Sequence, residues 1–284
     1  NTSVTAPPAL PVAHDPGVKA LLQRVASQFP AEVQGTLAHG LRRLVDYQDV
    51  AYAGLYLDRL LPIAALPAAS QPLLDETARH LALWMSYEDT IRVAELKTRA
   101  TRFERVQGEV RVGADQLLDV DEYMHPRVEE ICDTLPAGLG RWLLASGWPR
   151  RLVERFTRQG RVVTTTSLRG FLLLYGLAGL KRWRRGSLRY LNETPRIEAW
   201  LAQISRTATT DPLLAVEVAR CQALVKGYGD THARGTRNFE TLMAVVQRRG
   251  ASLPATTLGE LRSAALADEH GHALQAALAR HALA

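Results

Sequence analysis

A regular apolar stripe from Ala31 to about Leu61 constrains the fold more than any other feature of this sequence. Its positions recur every three or four residues, the spacing that places side chains on one face of a helix. They are Leu37, Leu41, Leu44, Ala51 and Leu55, with the polar Gln48 interrupting the stripe. A helix of this length must bury its stripe against a partner. The stretch Asp75–Val106, which follows three prolines, carries a similar apolar face. We therefore predict two long antiparallel helices.

The rest of the chain favours helices as well, because no alternation of strand and helix patterns occurs. The run Val162–Thr166 has the β-branched residues of a strand or an extended connector, but no second such run is present to pair with it. The apolar run Leu168–Leu180 is shorter than the roughly 20 residues of a membrane span. We predict a buried helix there, no membrane partner, and an all-α fold, an irregular multi-helix bundle built on the two long helices.

Length and composition indicate a globular chain with a sizeable core. It has 284 residues, of which 46% are hydrophobic, and a mean hydropathy of −0.11. Residues 1–15, rich in Thr, Ser, Pro and Ala, resemble a linker to an upstream domain. Residues 16–284 then form one helical domain, or two lobes of about 16–112 and 113–284.

Charge and cysteine usage limit the classes of partner and cofactor. The formal net charge is +6, which favours a phosphate-bearing cofactor, an acidic electron carrier or nucleic acid. Cys132 and Cys221 are the only cysteines and lie far apart in the sequence. They supply neither a disulfide framework nor a thiolate set for zinc or an iron–sulfur cluster. A reducing, cytoplasmic setting is expected.

Chemical variety is concentrated in the stretch Ala219–Glu240. Asp211 and Pro212 predict a helix start upstream, with Leu214, Val218, Cys221 and Val225 on one face. That helix should end near Gly227, a left-handed cap. Asp230 or Thr231 should then cap a second helix with an apolar stripe of Phe239, Leu242, Met243 and Val246.

The loop between these helices is our candidate site, a polar corner for an anion or a protein interface. Free backbone N–H groups at a helix N-terminus can hold an anion, although the spacing is not that of a P-loop or a dinucleotide fingerprint. Two caps and a solvated arginine face would also explain the pattern. Gly235 inside the second helix, which costs about 1 kcal/mol relative to alanine, favours a function. The candidate residues are Lys226, Tyr228, Asp230, His232, Arg234, Arg237 and Asn238.

Metal chemistry is not predicted. The carboxylates of the long helices are Asp46, Asp49, Glu88, Asp89 and Glu95. A di-metal bundle needs two Glu-x-x-His pairs, and only Glu269–His272 fits, on another helix, beside His270. We expect the carboxylates to form ion pairs with Arg92, Lys97 and Arg99.

Two further functional classes receive little support. The basic run Lys181–Arg185 contains Trp183, which can stack on a base, but arginines extending from the end of a buried helix explain it equally. Nucleic acid is therefore disfavoured as a partner. No Ser/His/Asp set, HExxH motif or activated thiolate is recognisable, and no catalytic residue is predicted.

Three stretches carry a family resemblance. They are Val45–Ala53 (VDYQDVAYA), Tyr87–Arg99 (YEDTIRVAELKTR) and, most specifically, Val225–His232 (VKGYGDTH), followed by Arg234-Gly235 and Asn238-Phe239. Together they resemble the C-terminal helical region of indolepyruvate ferredoxin oxidoreductase, in its beta-type subunit. That resemblance implies an enzyme of the 2-oxoacid:ferredoxin oxidoreductase family, which oxidatively decarboxylates arylpyruvates to acyl-coenzyme A with thiamine diphosphate, iron–sulfur clusters and ferredoxin.

The chain departs from the enzymatic parts of that family. It lacks a cysteine set, it has Gly229-Asp230-Thr231 where a thiamine diphosphate site has Gly-Asp-Gly, and it has no α/β domain. The resemblance therefore implies a helical accessory domain that is non-catalytic alone and holds no cofactor of its own. Its implied partners are an upstream α/β domain and other oxidoreductase subunits, with ferredoxin for the whole enzyme. The alternative is a stand-alone basic helical module that binds nucleic acid or a protein partner.

Overall fold

The structure, a computed structural model, describes residues 10–102, 120–124, 127–145, 147–157, 161–164, 166–227, 229–268 and 271–283. Within these ranges the chain forms fourteen α-helices and one two-stranded sheet, which confirms the all-α, multi-helix class. The elements in chain order are α1 (Pro16–Gln28), α2 (Gln34–Tyr47), α3 (Val50–Ala64), α4 (Gln71–Met85), α5 (Thr90–Thr98), β1 (Asp121–Met124), α6 (Val128–Thr134), α7 (Ala137–Ala145), α8 (Gly147–Thr157), β2 (Arg161–Thr164), α9 (Leu168–Gly179), α10 (Leu188–Ala208), α11 (Pro212–Arg220), α12 (Gly229–Arg249), α13 (Ala255–Ala267) and α14 (His272–Arg280).

The chain divides into two compact units. The first combines Asn1–Ser86 with Ile197–Ala284, and the second is Tyr87–Arg196. These units differ from the expected lobes of about 16–112 and 113–284, because the second unit is inserted in the sequence between the two halves of the first. Of the expected linker, residues 1–9 lie outside the described part, and α1 follows at Pro16 with its N-terminus capped by Asp15.

Neither of the two predicted long helices is continuous. The first breaks between α2 and α3, where Asp49 adopts extended backbone and its carboxylate accepts the Tyr52 N–H at 2.7 Å. The second breaks between α4 and α5, where Asp89 accepts the Arg92 N–H at 2.6 Å. An aspartate that caps a new helix start satisfies a donor that a continuous helix would not leave free. The fold is thus a bundle of shorter helices.

Aromatic side chains from both halves of the chain form the core of the first unit. Trp84 on α4 lies 5.5 Å from Trp200 on α10 and 5.3 Å from Phe239 on α12, measured between ring centroids. The buried Trp200 indole donates a hydrogen bond to the Val218 carbonyl of α11 at 3.1 Å. These contacts join α4 to helices more than 100 residues away in sequence, which places α11 and α12 firmly on the core.

The second unit is organised around α5 and α9. Ile91 and Ala94 of α5 are buried, as are Gly170 and Leu174 of α9. At the start of α5, the Asp89 carboxylate also pairs with the buried guanidinium of Arg184 at 2.7 Å. A separate apolar cluster contains Val128, Cys132, Ala137 and Leu188.

Three local predictions in or near this unit are wrong. The run that begins at Val162 does find a strand partner, because β1 and β2 pair antiparallel with Tyr123 opposite Val162. Pro195, which the sequence places at the start of a helix because proline fits a first helical turn, lies inside α10 instead. The helix α9 is buried on one face only, since Leu168, Leu172, Leu173 and Tyr175 are exposed. None of the described helices combines the length and the apolar character needed to cross a membrane.

Candidate functional site

The polar corner is built by α11, a short 3-10 turn and α12. The Asp211 carboxylate accepts the Leu214 N–H at 2.9 Å and Pro212 occupies the first turn, which confirms the predicted start of α11. This helix ends at Arg220 instead of near Gly227, and the chain continues as a 3-10 turn over Cys221–Leu224. Tightening into a 3-10 turn is a common end to a helix. The loop that contains Lys226 follows this turn.

Two glycines allow the backbone conformation and the close helix packing at this corner. Gly227 has a φ of +78°, the predicted left-handed conformation, which strains any residue that carries a Cβ. Gly235 lies inside α12, and a Cβ at that position would come within 2.0 Å of the Leu224 carbonyl oxygen. The presence of glycine at 235 is therefore explained by close packing of α12 on the 3-10 turn. It is not an indication of ligand binding, as the sequence had suggested.

The structure places the candidate residues on the loop and the first turns of α12. Lys226 lies in the loop, and Asp230 lies in the first turn of the helix. Asp230 carries the negative charge that a helix N-terminus favours, so it already complements the helix dipole that an anion would use. Tyr228 lies outside the described residues. Of the others, Lys226, Asp230 and Arg237 are exposed, while His232, Arg234 and Asn238 are half-buried.

Beneath the corner lies a buried histidine that the sequence analysis missed. His80 of α4 is 3% exposed, and its Nδ1 lies 2.9 Å from Oε1 of Gln222. On its other side, Nη2 of Arg79 lies 3.1 Å from His80 Nε2. A guanidinium can only donate, so Nε2 accepts and the proton resides on Nδ1. Burial lowers the pKa of His80, which keeps the ring neutral.

Ion pairs continue from this histidine across three helices. Glu76 of α4 accepts from Nε of Arg220 at 2.9 Å, and Arg220 also donates to Glu217 at 2.7 Å. Glu217 in turn accepts from Arg262 of α13 at 3.1 Å. Burial raises the pKa of Glu76, but hydrogen bonds from Arg79 and Arg220 lower it by more. The network is a polar tie between α4, α11 and α13.

Two of the ion pairs in this network could be predicted from the sequence. Glu76 and Arg79, like Glu217 and Arg220, stand three residues apart, which is the spacing of ion pairs along one helix. The pairing of Glu76 with Arg220, 144 residues away, follows from the tertiary packing. Such a distant partner cannot be read from local spacing.

Neither cysteine is placed as a nucleophile. Burial raises the pKa of Cys221 to about 12, and Cys132 is also buried with a raised pKa. A catalytic thiol needs a lowered pKa and access to substrate. Both side chains instead serve as small apolar groups in the packing.

The residues of the basic run Lys181–Arg185 differ in burial and in ion pairing. Arg184 is 1% exposed and pairs with Asp89, and Lys181 pairs with Glu95 at 3.5 Å. Arg182 lies over the ring of Trp183, 4.7 Å from its centroid, and both side chains are exposed. Only part of the run therefore presents charge to a polyanion.

Three of the five carboxylates on the predicted long helices have structural roles. Asp49 and Asp89 cap helices, and Glu95 accepts from Arg92 and Arg99 at 2.8 Å each, as expected. Glu269 and His270 lie outside the described residues. Among the residues that the structure describes, no group of three or more His, Cys, Asp or Glu side chains could hold a metal ion.

The fold defines an all-α protein of many short helices. Residues 33–245, three quarters of the chain, match a family of unknown function (DUF6537), and the chain belongs to that family. The match includes the whole inserted unit and the entire corner. No curated protein matches the chain. No solved structure matches it.

Proposed function

We propose that this chain is the helical accessory domain of a cytoplasmic indolepyruvate (2-oxoacid) ferredoxin oxidoreductase subunit, and that it is non-catalytic alone. The observation that carries the proposal is the block Val225–Phe239, in which the loop, the two glycines and the first turns of α12 resemble that family. All three resembling blocks fall inside residues 33–245, the region that matches the family of unknown function.

The positions of the three blocks support a role in packing and contact. Val45–Ala53 spans the break between α2 and α3, and Tyr87–Arg99 contains the cap and body of α5. Val225–Phe239 is the corner itself. These residues set helix starts and close approaches inside the domain, which fits a structural role and not a catalytic one.

The residues present do not fit the cofactors of the whole enzyme. A cubane iron–sulfur cluster takes four cysteine thiolates, whereas the two cysteines here are buried in different units with raised pKa values. The sequence Gly229-Asp230-Thr231 also differs from a thiamine diphosphate site. The proposal therefore assigns thiamine diphosphate, iron–sulfur clusters and coenzyme A to an upstream α/β domain and other subunits, and ferredoxin binding to the assembled enzyme.

Turnover tests the first half of the proposal. The isolated chain is incubated with indolepyruvate, coenzyme A and oxidised ferredoxin, and the complete oxidoreductase that contains this sequence is assayed in parallel. We expect acyl-coenzyme A and reduced ferredoxin from the complete enzyme alone. Turnover by the isolated chain, or a complete polypeptide that shows no 2-oxoacid oxidation, would refute it.

Charge removal at the corner tests the second half. The variant Lys226→Ala/Arg234→Ala/Arg237→Ala removes three cations that can contact a neighbouring subunit or an anionic cofactor group. We expect subunit affinity or kcat/KM of the complete enzyme to fall at least about tenfold, equivalent to about 1.4 kcal/mol. Arg42→Ala, at an exposed arginine on α2, is the control and should change neither. An equally small effect of both variants would remove the corner from the proposal.

A further inference from the structure

Helix α9 is apolar on both of its faces. Its inner face is buried through Gly170 and Leu174, as described above. Its outer face carries Leu168 at 74% exposure, Leu172 at 55% and Tyr175 at 63%. The three positions follow a spacing of four and three residues, so they form one stripe along the helix. A helix that is apolar all round is normally buried, and a contiguous exposed patch of this kind marks an interaction site.

Two glycines continue this stripe and indicate what covers it. Gly176 and Gly179 lie on the outer side of α9, and a Cβ at either position would meet nothing within 4 Å. Glycine weakens a helix, and its benefit is that another backbone can approach closely. A lipid surface gains nothing from this gap, because glycine adds no apolar side chain. A packed protein helix gains contact area along the stripe.

The positive charge around α9 limits the partner to one that carries acidic residues. From Arg155 to Asn192 the sequence contains nine arginine and lysine residues and no aspartate or glutamate. Asp89 and Glu95 neutralise Arg184 and Lys181. Arg169, in the first turn of α9, and Arg182, just beyond its end, are both exposed. A second copy of this chain would bring the same cations against them, which costs affinity, whereas acidic residues would be attracted.

We propose that the outer face of α9 is a docking surface for a helix of a protein partner that has an apolar stripe flanked by acidic residues. The partner helix packs its stripe on Leu168, Leu172 and Tyr175 and fits over the two exposed glycines. Its carboxylates pair with Arg169 and Arg182 at the two ends. This inference goes beyond the proposed function and does not depend on it.

Photo-crosslinking in the native host tests the surface. The probe p-benzoylphenylalanine is placed at Leu172, and in a control at Leu213, an exposed leucine on α11. We expect Leu172 alone to link to a protein segment whose sequence, read by mass spectrometry, is an amphipathic helix with acidic flanks. Links to lipid, to nucleic acid, to a second copy of residues 155–192, to residues 103–119 of the same chain, or no link at all would overturn the proposal.

Charge reversal at Arg169 and Arg182 then tests whether these cations recognise the acidic residues of the partner. The cross-linked segment is used as a synthetic peptide. We expect Arg169→Glu/Arg182→Glu to raise its Kd at least about tenfold, and a peptide with its acids changed to lysine to restore binding to that variant. Arg42→Glu is the control and should leave the Kd unchanged. An unchanged Kd for the double variant would overturn the proposal. If binding is weaker, an unchanged melting temperature of the variant excludes misfolding as the cause.

The origin of the linked segment separates this inference from the proposed function. A segment of a 2-oxoacid oxidoreductase polypeptide supports both. An acidic helix from an unrelated protein supports the docking surface and counts against the oxidoreductase assignment.

Discussion

At the scale of single residues, glycine has two opposite uses in this chain. At Gly235 a Cβ would lie 2.0 Å from the Leu224 carbonyl oxygen, while at Gly176 it would meet nothing. Both glycines lie inside helices, so helix propensity favours alanine at both positions. The packing around each glycine decides whether a change to alanine raises or lowers the stability of the protein.

We predict that Gly235→Ala destabilises the protein and that Gly176→Ala stabilises it. The first forces α12 away from the 3-10 turn, at a cost of about 1–3 kcal/mol, typical of overpacking. The second gains up to about 1 kcal/mol from reduced backbone freedom in the unfolded chain. Urea unfolding of both variants measures the free energies. Equal or inverted effects would contradict the close approach at Gly235.

Acid sensitivity should arise at His80. Its pKa is lowered by burial, so the unfolded chain binds the proton first as the pH falls. The contribution of His80 to stability is therefore complete above pH about 6.5 and is lost as the pH falls toward the folded pKa. Its neighbours are Glu76, Arg79 and Arg262, and the lowered pKa of Glu76 keeps that carboxylate ionised through this window.

We predict that the native chain loses about 1 kcal/mol more than His80→Gln between pH 7.5 and pH 5.5, because a buried neutral histidine resists protonation. Urea unfolding at the two pH values gives the difference, and comparison with the variant cancels the other histidines. Parallel losses in the two proteins would show that another group titrates.

At the scale of elements, the sequence predicted helix faces well and helix ends poorly. Leu214 and Val218, like Phe239 and Leu242, are buried as their spacing predicts. The breaks at Asp49 and Asp89 were missed because the apolar stripe continues across them. Periodicity reports which face is buried, and a capping aspartate ends one helix and begins the next without interrupting that pattern.

The two capping aspartates should differ in their effect on stability. Asp49 is exposed and caps α3, so Asp49→Ala should cost about 1 kcal/mol. Asp89 also pairs with Arg184, whose side chain is 2% exposed. Asp89→Ala removes the carboxylate that pairs with this buried cation, and breaking a buried ion pair from one side typically costs about 3–5 kcal/mol.

Chemical unfolding of both variants provides the measurement, with Asp89→Ala/Arg184→Met as the control. Removing both charges should recover much of the stability, because the buried cation is removed together with the carboxylate that pairs with it. If the double variant is no more stable than Asp89→Ala, the ion pair is not the cause of the loss.

The candidate site was predictable in its local chemistry but not in its surroundings. The Asp211 cap, the left-handed Gly227 and the apolar face of α12 follow from short-range rules, whereas α12 begins at Gly229, before the predicted caps Asp230 and Thr231. The contact of Gly235 with Leu224 and the partners of His80 depend on helices brought together by tertiary packing. The strand β1 was missed for a related reason, since its sequence, DEYM, has a weak strand propensity and relies on its partner β2.

At the scale of the whole molecule, the two compact units do not follow one another along the chain, because one is formed from both ends of the sequence. The first unit needs both ends of the chain, because Trp84 from one half packs against Trp200 and Phe239 from the other. A hydrophobic pattern cannot show this arrangement, since it carries no information on which stripes meet. The inserted unit has its own buried ion pair and apolar cluster.

Removal of the Trp84 side chain should therefore loosen distant segments of one unit and spare the other. We predict that Trp84→Ala costs about 3–5 kcal/mol, typical of a large buried side chain, and speeds hydrogen exchange in α4, α11 and α12. Exchange in α5 and α9 should remain unchanged, because those helices pack within the inserted unit. Trp183→Ala, at a tryptophan that is 60% exposed, is the matched control and should leave exchange in the first unit unchanged. Faster exchange of α5 and α9 in Trp84→Ala, to the same extent as α4, would mean that the two units unfold as one cooperative body.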